Sequence, residues 1–143
     1  MTEQVSPRQP RMSRRLLSHT HHSRSRDYAR GPLRMRVDTL PGIRVLAVAG
    51  ELDLATAPLL HEAVRAGERF PATVVDTSRL AFVGLAGVDV LIGAAERAEG
   101  EDRLFAAVVS SRPTQRAFEL SGAAAWIRCY PRLGSALAAV SRS

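Results

Sequence analysis

A chain of 143 residues, 45% of them hydrophobic, is long enough for one domain built on Val, Leu and Ala and short of two, and no apolar run reaches the roughly 18 residues of a membrane span. A single cysteine, Cys129, and the absence of lysine among twenty basic residues exclude an internal disulfide, a thiolate metal cluster, Schiff bases, pyridoxal phosphate anchoring and the P-loop lysine. The net charge of +6 belongs to the first quarter of the chain: residues 1–36 carry nine Arg against Glu3 and Asp27, whereas residues 37–143 carry eleven Arg against twelve acids.

Residues 1–33 are polar and rich in Arg, Ser and His. They hold too little apolar surface to offset their chain entropy and read as a disordered tail. Within it, "SRRLLS" is followed by "HTHHSRSRD" rather than by an apolar stretch, which argues against export and for the cytoplasm. His19, His21 and His22 read as a solvated run rather than a metal site. Met12 and Met35 each offer an alternative start, which intact mass of the native protein would decide. The nine arginines of residues 1–36 could give weak, salt-sensitive nucleic-acid binding, and solvation is the plainer reading.

The folded domain is expected over residues 34–143. "RMRVDTL" alternates, "PG" marks a turn, and "IRVLAVAG" is a second strand, so the pair predicts an antiparallel hairpin. "ELDLATAP" is a loop in which Thr56 caps a helix and Pro58 sits in its first turn. "ATVVDTS" predicts a short buried strand, and "AFVG" a loop. Leu85, Val88, Leu91, Ile92, Ala95 and Ala98 then recur at helical spacing, with Gly100 as the stop. "RLFAAVVS" is a strand; "SRPTQRAFELSG" is a helix capped by Ser111 and ended by Gly122; "AWIRCY" is a brief strand and "PRLGSALAAVS" a last helix. Strands alternating with helices predict an α/β domain, with a mixed, mostly parallel sheet and about four helices.

Chemical readings of this domain fail one by one. A phosphoacceptor receiver has a use for Asp76 at a strand end, but it also needs an acidic pair after the first strand and a lysine. Asp76 therefore reads as a group bonding backbone N–H in its own turn. A hydrolase needs a nucleophile beside a base. There is no Gly-x-Ser-x-Gly, and His61 reads as part of a solvated helix face. Cys129, beside Tyr130, reads as buried and structural. No dinucleotide fingerprint and no metal-ligand cluster is present in the sequence. The expectation is a domain without enzyme chemistry, metal or cofactor.

Three blocks in order carry a resemblance: "VAGELDLATAPLLHEAV", "VVDTSRLAFVGLAGVDVLIGAAERA" and "AFELSGAAAWIRCYPRLGSALAAV". Together they resemble the STAS domain of bacterial anti-sigma factor antagonists, over about residues 34–140. The resemblance implies a cytoplasmic protein-binding module whose partner is an anti-sigma factor of the serine kinase type, so that binding releases a sigma factor. It implies contacts through Gly50, Glu51, Asp53 and Leu54 in one loop, and through Gly84, Leu85, Ala86, Gly87 and Val88 at a helix start. In the family that helix start reads Asp-Ser-(Ser/Thr)-Gly, and the second hydroxyl is phosphorylated by the partner. Here Gly84, Leu85 and Ala86 take those places, and Ala86 has no hydroxyl to phosphorylate. The alternative the resemblance leaves is a non-catalytic scaffold or accessory subunit of a stressosome-type or lipid-transport complex. Self-association as a homodimer is compatible with both readings.

Overall fold

Alternation and turn chemistry build the first half of the sheet. Leu33, Met35 and Val37 are buried while Arg34 and Arg36 are exposed, which is the period-two pattern of a strand covered on one face, and these residues form β2 (Leu33–Leu40). Gly42, at φ +75°, turns the chain back into β3 (Ile43–Leu52), antiparallel to β2 from Leu33↔Gly50 to Leu40↔Ile43. This is the expected hairpin.

The computed structural model describes residues 24–141, and within them the sheet starts earlier than composition predicts. Residues 24–33 belong to the expected tail, yet Arg24–Arg30 form a strand, β1, antiparallel to β2, and Leu33 is fully buried. The reason is that β1 buries none of its seven residues. It is held by a backbone ladder, which composition does not report. The rest of the expected tail, with His19, His21 and His22, lies outside the described residues.

From β3 onward the strands run parallel: β4 (Ala72–Val83), β5 (Leu104–Val108) and β6 (Arg128–Tyr130) follow in spatial order. Among the described residues four helices complete the fold: α1 (Ala57–Ala66), α2 (Leu85–Gly100), α3 (Arg112–Ser121) and α4 (Leu133–Ser141). One face of the sheet buries Leu46, Val48 and Val75 against Leu60 of α1, Leu91 of α2 and Phe118 of α3. On the other face α4 packs Ala136 and Val140 over Val45, Val74, Ala106 and Val108. The part of that second face formed by Arg34, Arg36, Ala47, Ala49 and Arg79 lies outside this core. The α/β class and the four helices are as predicted.

Several local expectations change. β4 runs twelve residues, through Phe82 and Val83, where a loop is predicted. It can do so because its register against β3 slips twice, between Ala47/Ala49 and between Gly50/Glu51. The slips let twelve residues lie beside the ten of β3. Asp76 holds the first slip: its Oδ1 accepts the Ser78 N–H at 3.0 Å and the Ser78 hydroxyl at 2.7 Å, the local role expected of it. Gly122, at φ +75°, ends α3 as predicted, but only Arg128–Tyr130 of "AWIRCY" pair as strand, because Ala123–Ala125 form a 3₁₀ turn. α2 ends at Gly100, and the left-handed residue is Asp102, at φ +56°.

Cys129 is exposed rather than buried, since it stands on the short strand at the sheet's edge. Its thiol lies 3.3 Å from the Ile127 carbonyl oxygen, and desolvation by the surrounding chain pushes its pKa up, away from the reactive thiolate.

Glu68, in the turn after α1, joins two helices. Its carboxylate takes Arg65 Nε at 3.3 Å and Arg97 Nε of α2 at 2.6 Å. Arg97 Nη2 is buried with no hydrogen-bond partner among the described residues. Removing the carboxylate leaves a half-buried guanidinium without its counter-charge. Glu68→Ala is therefore expected to cost about 2 kcal/mol in urea unfolding, against about 0.5 kcal/mol for Arg65→Ala on the exposed side. Equal losses would mean that the α1–α2 ion pair adds nothing.

Candidate functional site

The carboxyl ends of β3 and β4 meet the start of α2 at one end of the sheet, and glycines make the meeting possible. Gly50 has φ +97°, and a Cβ there would stand 2.0 Å from the Pro32 carbonyl oxygen. The chain thus passes tight against the β1–β2 turn, and the Glu51 N–H donates to that same oxygen at 3.1 Å. Gly87 has the same role for α2. A Cβ on it would lie 2.4 Å from Leu52, whose side chain is fully buried beneath the helix. Leu52 O in turn accepts the Gly84 N–H at 2.8 Å and ties the helix start to β3.

The loop from β3 to α1 is shaped by Asp53 and Thr56 together. The Thr56 N–H donates to Asp53 Oδ1 at 2.9 Å, the Asp53 N–H donates to Thr56 Oγ1 at 2.9 Å, and the Thr56 hydroxyl lies 3.0 Å from the Glu51 carbonyl oxygen. Thr56 is expected as a helix cap. Its side chain makes no cap hydrogen bond and instead closes the loop backward, while the Asp53 carbonyl oxygen accepts the Ala57 N–H at 2.8 Å. The pair holds Leu54 out at the loop's tip.

What this frame presents is apolar. Leu54 is 81% exposed, Phe82 50% and Leu85 68%. Glu51 lies opposite Phe82 in the β3–β4 register, and the Phe82 ring lies against Gly84, within 3.4 Å of where a Cβ would be. The first turn of α2 carries no acidic residue, so its positive end is uncompensated by the helix itself. Beside Glu51 and Phe82, on the open sheet face, Ala49 separates Arg34 from Arg79. The arrangement is a surface of exposed apolar side chains with charges at its margin, which is the composition of a protein-binding patch. The concave surface lies elsewhere: a depression of about 280 Å³ is lined by Phe118, Cys129 and Tyr130, and one of about 310 Å³ by Ile43, Ala72 and Val140.

The expected site residues separate into two groups. Glu51, Leu54 and Leu85 are exposed, Ala86 is half-buried, and Gly50, Asp53 and Gly84 build the backbone that carries them. Gly87 and Val88 are buried and cannot touch a partner; the phase of α2 turns them onto Leu52 and the core. Phe82 is the surface residue that sequence reasoning misses. Its one signal is an aromatic residue within a stretch otherwise made of small and aliphatic side chains.

Among the described residues no group of three or more His, Cys, Asp or Glu is placed to hold a metal ion, and no helix is long and apolar enough to cross a membrane. Residues 35–128 match the family model described as the Mlab STAS domain. The chain is 33% identical over 101 residues to the anti-sigma-F factor antagonist RsfB of Mycobacterium tuberculosis, across 69% of this chain and 82% of that protein. It is similar to the crystal structure of an anti-sigma factor antagonist from Mycobacterium paratuberculosis, with a TM-score of 0.71 at 33% identity over 76% of this chain and 94% of that one. Unphosphorylated SpoIIAA of Bacillus, an anti-sigma factor antagonist, has the same fold: the TM-score is 0.63 at 18% identity, over 75% and 96% of the two chains.

Proposed function

The chain belongs to the STAS domain family and is anti-sigma factor antagonist-like, and on that footing we propose that it binds a kinase-type anti-sigma factor in the bacterial cytoplasm and so releases a sigma factor, without acting as an enzyme itself. The observation that carries this reading is the exposure of three apolar side chains, Leu54 on the β3–α1 loop, Phe82 near the end of β4 and Leu85 at the first position of α2. An apolar surface held by a rigid backbone gains affinity by shedding water, and a frame already formed has little ordering left to lose on binding.

The reading includes the loss of a switch. On the resemblance, Ala86 takes the place of the family's phosphoacceptor; it is the second residue of α2. A phosphate there would bring about −1.5 to −2 charges into an apolar contact surface. Without a hydroxyl at that position the partner kinase has nothing to modify there, and the complex persists in ATP.

Mixing the full chain with kinase-type anti-sigma factors of the native organism is expected to give a stoichiometric complex by light scattering. With labelled ATP present, the native chain takes no phosphate, while Ala86→Ser accepts it and loses the complex. Failure of every candidate to bind, or labelling of the native chain, overturns the reading.

The scaffold reading has one observation in its favour. Leu120 on α3 and Trp126 after the 3₁₀ turn are 81% and 60% exposed, on elements other than those of the first patch. A subunit of a larger assembly needs more than one surface. Self-association that Trp126→Ser abolishes and Leu85→Asp leaves intact would favour this reading.

A further inference from the structure

The outermost strand of the sheet lies before the matched family region, which begins at residue 35. Among the described residues β1 pairs on one side only, residue for residue from Arg24↔Thr39 to Arg30↔Leu33, without a bulge. Its sequence RSRDYAR contains no proline, and all seven residues are exposed. An edge of that kind presents a regular row of backbone N–H and C=O groups to a further strand.

The two faces of β1 differ in charge. On one face Ser25 donates to the Asp38 carboxylate and Asp27 lies opposite Arg36, so charge is matched within the sheet. On the other face Arg24, Arg26 and Arg30 lie opposite Thr39, Val37 and Leu33. None of these three arginines has an ion-pair partner among the described residues. Alternate residues of a strand stand about 7 Å apart, so the face offers guanidinium groups at a strand's own period, with Tyr28 filling the remaining place.

We propose that β1 is a docking edge for an extended acidic segment of a partner protein, which adds as a further strand with carboxylates at alternate positions facing Arg24, Arg26 and Arg30. A second copy of the chain is a poor occupant. A symmetric antiparallel β1–β1 pairing keeps both arginine faces on one side and sets Arg24 opposite Arg30, or Arg26 opposite Arg26 or Arg30, and like charges directly opposite are destabilising. The edge therefore repels itself and selects the opposite charge.

The test uses the full chain and a ten-residue peptide of alternating Glu and Thr at low salt. The peptide is expected to bind and to slow amide hydrogen exchange across residues 24–30. A peptide of the same composition with its glutamates clustered binds roughly tenfold more weakly, the combined effect of three modest cross-strand pairs. The triple variant Arg24→Gln/Arg26→Gln/Arg30→Gln loses a similar factor; its exposed side chains make folding insensitive to the change. Leu85→Asp leaves this binding unchanged, so its failure is separate from failure of the antagonist reading. No binding overturns the proposal. So does equal binding by the clustered peptide or by one N-methylated at alternate residues, because that is diffuse attraction rather than strand addition. Stronger protection of β1 by a single-stranded oligonucleotide of equal charge also overturns it.

Discussion

Gly50→Ala is expected to destabilise the domain by about 3 kcal/mol, and Gly42→Ala by about 1 kcal/mol, although both glycines have positive φ. At Gly42, φ +75°, a Cβ meets nothing within 4 Å, and the cost is that of the left-handed backbone alone. At Gly50, φ +97°, the added carbon would stand 2.0 Å from the Pro32 carbonyl oxygen and 3.2 Å from its carbon. Both are backbone atoms, so no side chain can swing away. Retreat of the turn breaks the Glu51 N–H bond to Pro32 O, worth about 1 kcal/mol. It also pulls on Leu33, which follows Pro32, pairs with Gly50 and is fully buried. Strain, clash and lost bond together lower the melting temperature by roughly 10 °C for a domain of this size. Urea unfolding of the two variants side by side checks the contrast. Equal losses would mean that the turn at Gly31–Pro32 moves freely and does not brace the loop that carries Leu54.

Why that brace escapes a reading of the sequence is instructive. Gly50 ends an apolar run and looks like punctuation; the close approach of Pro32 comes from β1 folding back on β2, and nothing in RSRDYAR signals a strand. Elements that bury side chains are legible, because burial writes a period into the chain. The β2–β3 hairpin, α2 and the buried parts of β4 and β5 are all of this kind. Elements held mainly by backbone pairing write little, so β1 escapes, and so does the end of β4, where Ala81 and Phe82 are exposed and Val83 is only partly buried. Phe82 is missed for that reason: the strand runs past its apparent end, and the exposed ring adds no buried residue to its pattern. Within α2 the sequence supports two incompatible readings of one residue. Val88 fits the inward helical series and also lies in the stretch that resembles a docking surface. The helix phase settles it, with Val88 wholly buried. Leu85, at the first helical position, escapes burial although it opens the same series.

Leu85 therefore separates folding from binding. Leu85→Asp is expected to leave stability unchanged or raise it by up to about 1 kcal/mol, while lowering affinity for the anti-sigma factor about 100-fold. The first half follows from position. The side chain is mostly exposed, so little buried area is lost, and a carboxylate in the first turn of α2, which holds no acid, meets the positive end of the helix. The second half follows from desolvation. Residues at the centre of an interface carry most of its energy, and a charge placed there must shed water without gaining a partner. Val88→Asp reverses the order: it puts the charge into the core cluster that Val88 shares with Leu52 and Leu91 and unfolds the domain, so any lost binding is secondary. Titration calorimetry with each variant, paired with thermal melts, distinguishes the two. If Leu85→Asp melts at or above the native temperature and still binds at native affinity, the patch formed by Leu54, Phe82 and Leu85 is not the surface that meets the anti-sigma factor.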